Sequence, residues 1–176
     1  GWAACLCSQQ WCHVRTLTVQ QKQPDITLGW RARRWRFTPP PRLGDMEPEF
    51  FMIADGPEPV APFSHAVESD GWVILTGQMP TDPQAPDAPL PAGIEAQTRW
   101  VMGNLGVVLA GVGLDLSHVL QRRCFLTEFE RDHVAFNDTY KSFFPPDRLP
   151  ARTTVGVTAL AVGALVEIDC IARRPS

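Results

Sequence analysis

Leu165-Val166-Glu167-Ile168-Asp169-Cys170-Ile171-Ala172-Arg173 decides how the rest of the chain is to be read. Val166, Ile168, Cys170 and Ala172 alternate with Leu165, Glu167, Asp169 and Ile171, and every second side chain of a strand points to the same face. The segment is therefore expected to be a strand with one wholly apolar face. Its other face carries two carboxylates between aliphatic residues, so it is not a plain core face. That face could line a cavity, meet another subunit, or be ordinary half-exposed surface.

Moving outward from this strand, Thr153 to Leu160 reads as a neighbouring strand. Asp132 to about Phe144 reads as a helix capped by Asp132, with Val134, Asn137, Tyr140 and Phe144 on one side and Pro145-Pro146 beyond it. Val119 to Thr127 alternates as a strand that groups Leu120, Arg122, Cys124 and Leu126 on one face. Ala92 to Val112 gives the clearest helical signal: Ile94, Gln97, Val101, Leu105, Val108 and Val112 recur every three or four positions, and Gly113 stands at the expected C-cap. Gly103, Gly106 and Gly111 weaken that helix and suggest close packing on a sheet. Thr81 to Pro91, with four prolines, reads as a loop. Gly71 to Gln78 and Phe50 to Ala54 supply two earlier strands. The order β-β-α-β-α-β-β predicts an α+β domain, a mixed sheet with two helices packed on one face.

The 176 residues divide sharply by composition. Residues 1–45 hold seven basic and two acidic side chains, a balance of +5, and four of the six Trp; residues 46–176 hold nine basic and 17 acidic, a balance of −8. Residues 1–45 are expected to be a disordered or non-native extension, and 46–176 a single domain. A translated upstream or otherwise extraneous stretch, an Arg-rich transit peptide and a loosely ordered appendage remain open for the extension. Cys5, Cys7, Cys12 and His13 lack the paired C-x2-C knuckles of a zinc site and read as incidental, as does the Arg31 to Arg36 charge run. Cys124 and Cys170, in apolar strand patterns, are expected to be buried free thiols in a reducing compartment. No apolar run approaches the ~18 residues of a membrane span. The expectation is a soluble cytoplasmic protein with no membrane or nucleic-acid partner, ahead of organelle targeting by residues 1–45.

Pro150-Ala151-Arg152-Thr153-Thr154 places an arginine where a strand begins. A guanidinium fork matches a carboxylate with two parallel hydrogen bonds. On spacing alone an arginine here is more often a structural ion-pair partner or a solvated residue. Glu167, if half-buried beside Arg152, could orient a water or accept its proton. His65, His118 and His133 show no metal-ligand spacing, so no metal is expected, and Ser64 lacks a G-x-S-x-G elbow.

Several segments together resemble one family. Ala61-Pro62-Phe63-Ser64-His65-Ala66-Val67, Leu75-Thr76-Gly77-Gln78-Met79-Pro80, Gln97 with Asn104-Leu105, Phe136-Asn137-Asp138-Thr139-Tyr140-Lys141-Ser142-Phe143-Phe144, Pro150-Ala151-Arg152-Thr153-Thr154-Val155 and Val166 to Ala172 are similar, in order, to the RidA (YjgF) family of reactive intermediate deaminases, formerly called L-PSP translation inhibitors. The resemblance implies a chorismate-mutase-like fold, a homotrimer with active sites between subunits, no cofactor, and hydrolysis of small 2-enamine and 2-imine acids such as 2-aminoacrylate to 2-keto acids and ammonia. It implies Arg152 as the carboxylate clamp and Glu167 as the residue associated with the attacking water. Thr76, Gly77 and Asn137 would line the pocket. Two positions depart: Phe63 stands where a pocket tyrosine is frequent, and Thr154 where a cysteine is. The rival readings are a non-catalytic trimeric binder of small carboxylates and, less favoured by the acidic balance, a ribonuclease acting as a translation inhibitor.

Overall fold

The computed structural model describes residues 47–175; the expectations for the N-terminal extension, its cysteines and its arginine run lie outside the described residues. Three strands come first: β1 (Glu49–Phe51), β2 (Ala66–Ser69) and β3 (Trp72–Gln78). Helix α1 (Ile94–Gly111), strand β4 (Val119–Leu126), helix α2 (Phe129–Lys141), strand β5 (Ala151–Gly156) and strand β6 (Val166–Arg173) follow. The six strands form one sheet in the order β1-β2-β3-β6-β4-β5. Only the β4–β5 pair is parallel, so the sheet is mixed as expected. Val73, Leu75, Cys124, Leu126, Val166, Ile168, Cys170 and Ala172 from one sheet face join Val101, Leu105, Val108, Leu109, Phe136 and Tyr140 from the helices in a single core. Both helices therefore cover the same face, and the fold class is the α+β arrangement read from the sequence.

Strand β6 sits in the middle and alternates strictly between buried and half-buried side chains. That regularity is why the segment was legible. The differences lie elsewhere and have local causes. Strand β2 was not anticipated. Its four residues are too few for periodicity, yet Asp70-Gly71, both with positive φ, joins it to β3 through the two-residue turn that such a dipeptide favours. Helix α2 starts at Phe129, so Asp132 is not its cap; Asp132 lies in the first turn, buried and held bidentately by Arg131 at 2.7 Å. Strand β5 spans Ala151–Gly156 rather than Thr153 to Leu160. In β4 a register shift between Val119 and Gln121 turns Leu120 out to 47% exposure and buries Val119 instead. The helix glycines also behave differently from expectation: a Cβ on Gly103 or Gly106 would meet nothing, while one on Gly111 would strike Ile53, not the sheet. Gly113, with φ 72°, does follow the end of α1 and donates to Ala110 O.

Candidate functional site

The first cluster forms where β5 meets α2. Pairing of β5 with β4 sets Arg152 beside Arg122, and pairing of β4 with β6 sets Arg122 beside Cys170. Arg152 thus shares the helix-covered face of the sheet. From the edge strand its side chain reaches α2, where Nη2 donates to Asn137 Oδ1 at 2.7 Å. Its guanidinium lies over the Tyr140 ring, 4.6 Å from the centroid, and 5.6 Å from that of Phe136. Two aromatic faces and one amide hold the fork without neutralising it. Among the described residues Arg152 makes no ion pair. It borders an open groove of about 410 Å³ lined also by Asn137, Tyr140, Lys141, Leu149 and Pro150. Lys141 is engaged with Asp138 at 2.6 Å. Thr154 lies on the same face two residues along β5, half-buried beside Cys124 and outside the groove; its Oγ1 is buried with no hydrogen-bond partner.

The second cluster forms where β3 meets β6. Leu75 pairs with Cys170 but Gln78 pairs with Ile168, so Thr76 and Gly77 together oppose Asp169 in a bulge. The bulge brings the Gly77 backbone against Glu167. A Cβ at Gly77 would lie 2.8 Å from the Glu167 Cδ and closer still to Oε1, so no larger residue fits while Glu167 keeps this position. Thr76 is fixed at both ends of its backbone turn: its Oγ1 donates to Ser64 O at 2.7 Å and its N–H to His65 O at 3.1 Å. Phe63 is half-buried, its ring 6.3 Å from that of His65. His65 is a buried pin. Its Nδ1 accepts from the Ile53 N–H and its Nε2 donates to Pro57 O, which uses both ring nitrogens.

The two carboxylates of β6 have different surroundings. Asp169 is bound by Arg123, with contacts of 2.6 to 3.2 Å. Glu167 has no such partner among the described residues. Burial, and then the neighbouring Asp169 charge, push its carboxyl above the usual carboxylate range. A half-buried, unpaired carboxylate of raised proton affinity suits a general base.

Within one chain Glu167 does not stand beside Arg152. Glu167 pairs with Phe125 of β4, which is in register with Val155 of β5. Arg152 is three residues from Val155, an odd number, so the two side chains leave opposite faces of the sheet with β4 between their strands. One chain therefore assembles Arg152 with Asn137, and separately Thr76 with Gly77 and Glu167. Sequence reasoning missed Tyr140 as the seat of Arg152. The signal was available, because Asn137 and Tyr140 are three apart on the helix stretch already singled out. A cavity of about 740 Å³ beside Trp100 and Asn104 of α1 contains none of these residues.

A mixed six-stranded sheet with two helices on one face defines a small α+β protein, here with an arginine at the sheet edge and a carboxylate packed against a bulge in β3. The family model described as endoribonuclease L-PSP matches residues 53–174, and the chain belongs to that family, the RidA (YjgF) proteins. The protein DfrA of Myxococcus xanthus is 42% identical over 118 residues, covering 66% of this chain and 88% of that protein. A goat (Capra hircus) 2-iminobutanoate/2-iminopropanoate deaminase is 34% identical over 119 residues, covering 68% of this chain and 85% of its own. Among solved structures, E. coli TdcF with bound serine has a TM-score of 0.66 and 26% identity, covering 72% of this chain and 99% of that one. Imine deaminase activity is thus present among relatives of this chain. No helix among the described residues is long and apolar enough to cross a membrane.

Proposed function

We propose that this protein hydrolyses small 2-enamine and 2-imine acids to 2-keto acids and ammonia, in active sites that two copies of the chain build together. The observation that carries this reading is Arg152: an arginine with no counterion among the described residues, seated on aromatic rings beside an open groove. Such a fork suits a single carboxylate. The deaminase-named relative and the serine-bound neighbour act on or bind small molecules of this kind.

The two clusters leave the sheet on opposite faces, so a second copy is needed to bring a Glu167 to each Arg152. The uncovered sheet face supports assembly. Val67, Ile74 and Ile171 are in register across β2, β3 and β6, and Ile74 is 54% exposed. Val155 and Trp72 are exposed as well, and Phe125 is half-buried. Contiguous apolar surface of this kind calls for a partner, and a homotrimer closes it with three equal sites.

In the reaction, Arg152 of one copy grips the substrate carboxylate. The carboxylate of Glu167 from the neighbouring copy takes a proton as water adds to the imine carbon. The C–N bond of the resulting carbinolamine breaks, the nitrogen leaves with a proton as ammonia, and the carbonyl of the keto acid forms. An enamine substrate first takes a proton on carbon to become the imine. Orientation of water and carbon supplies most of what is asked of the protein. The reaction requires no cofactor.

A non-catalytic carboxylate binder is the second reading, and Phe63 favours it, since it lacks the hydroxyl of the tyrosine frequent in the family's pockets. Ammonia release from iminopropionate, made in situ by an amino-acid oxidase, tests the first reading. Saturable protection against melting by keto acids, with no ammonia, would establish the second.

A further inference from the structure

Arg122 is a fully buried cation with no counterion among the described residues. Its Nη1 donates to Met102 Sδ at 2.7 Å, while Nε and Nη2 are buried without any partner. Around it lie Tyr140 and Phe144, whose ring centroids are 5.7 and 4.8 Å from its Cζ, and the thiols of Cys124 and Cys170. The Tyr140 hydroxyl and Thr154 Oγ1 complete the set of buried side-chain nitrogens and oxygens without partners among the described residues. All belong to one neighbourhood. A charge in such a place costs several kcal/mol unless something compensates it. Ordinary packing would have placed an uncharged residue here, as at Cys124 and Leu126 further along β4.

The same Tyr140 ring that faces Arg122 also seats Arg152. Strand register puts the two arginines side by side on β4 and β5. Two guanidiniums thus share one aromatic ring, with no carboxylate paired to either. Lys141, which lines the groove with Arg152, is itself paired with Asp138.

We propose that Arg122 is a positioning residue of the carboxylate site, a buried second cation whose field, acting across Tyr140, strengthens the hold of the Arg152 groove on anions. Its charge is compensated when the substrate carboxylate arrives. Being sealed from solvent, it is screened less by water and salt than a surface lysine would be. This inference rests on the proposed role of Arg152, and its test separates the two.

The test compares Arg122→Met, Arg122→Gln, Arg122→Lys and Arg152→Ala in the full chain, reading the affinity for pyruvate by calorimetry, KM and kcat for iminopropionate, and the melting temperature. Arg122→Met should weaken pyruvate binding and raise KM about fivefold or more, leave kcat within about twofold and melt no lower than the parent, because an unpaired buried charge has been replaced by an apolar side chain of similar length. Arg122→Lys should keep most of the affinity. If Arg122→Met fails to fold, Arg122→Gln carries the same expectation for KM. Unchanged affinity in the neutral variants overturns the inference, as does an equal loss in Arg122→Lys, which would mark a packing effect. Wild-type pyruvate affinity in Arg152→Ala would instead overturn the carboxylate reading itself.

Discussion

The edge of the sheet at β5 and its centre at β3 and β6 solve different problems with the same few residue types. At the edge, Arg152 stands exposed on the face shared with the helices and is held by soft contacts: two aromatic rings and the Asn137 amide. At the centre, Glu167 is half-buried on the opposite face and is held by shape, against a glycine that leaves no room for a side chain. A clamp that must meet an incoming anion benefits from exposure and from donors left free. A base benefits from partial burial, which raises its proton affinity. The comparison teaches that neither environment could serve the other purpose, and that one chain holds the two apart. On the proposed mechanism, their union needs a neighbour.

The sharpest way to break this comparison is Arg152→Ala. Ammonia release from iminopropionate should fall by about a hundredfold or more in kcat/KM, with circular dichroism and melting nearly unchanged because the side chain is exposed. Mixing Arg152→Ala with Glu167→Gln subunits, each of reduced activity, unfolded and refolded together, should raise activity above that of either variant alone. No recovery would place both residues in a site within one chain. Gly77→Ala comes next: the new methyl must displace the Glu167 carboxylate, so activity should drop at least about tenfold while stability changes little, because the clash is with the end of a flexible side chain, read by ammonia assay and urea unfolding.

Glu167→Gln separates catalysis from stability at the central cluster. Wild-type rate should rise with pH through a limb above the ordinary carboxylate range, as Glu167 loses its proton, and the limb should vanish in the variant. The sign for stability is opposite. A folded-state affinity for protons above the unfolded value means that Glu167 costs stability as pH climbs from the unfolded value through the raised one. The glutamine variant should therefore melt slightly higher than the parent at neutral pH, by thermal scan. The smallest effect is expected from Phe63→Tyr. Returning a hydroxyl near the Thr76 turn should change kcat/KM by a few-fold at most, and a larger gain would mean that Phe63 limits the native rate.

Much of this was legible because the deciding signals were local. The alternation of β6, the periodicity of α1 and the Gly113 stop each follow from which side chains can share a face or tolerate positive φ. The Asp70-Gly71 turn went unread, because Gly71 was assigned to the following strand and strand β2 was too short to show a period. The start of α2 was not legible, since Glu128 caps it without a side-chain hydrogen bond and nothing in the residue types announces it. Nor was the outward turn of Leu120, which comes from a register shift against β6.

The sequence by itself determined the α+β class, the apolar face of β6 and the residue types able to grip an acid or move a proton, because these depend on spacing and side-chain chemistry along one segment. Tertiary structure alone decided that Arg152 lies over Tyr140 while Glu167 lies on Gly77, on opposite faces. It also decided that Arg122 is sealed without a counterion. Those facts depend on the register of β4 with β5 and β6, which is set by pairing between residues some 30 to 50 positions apart and leaves no trace in any local pattern.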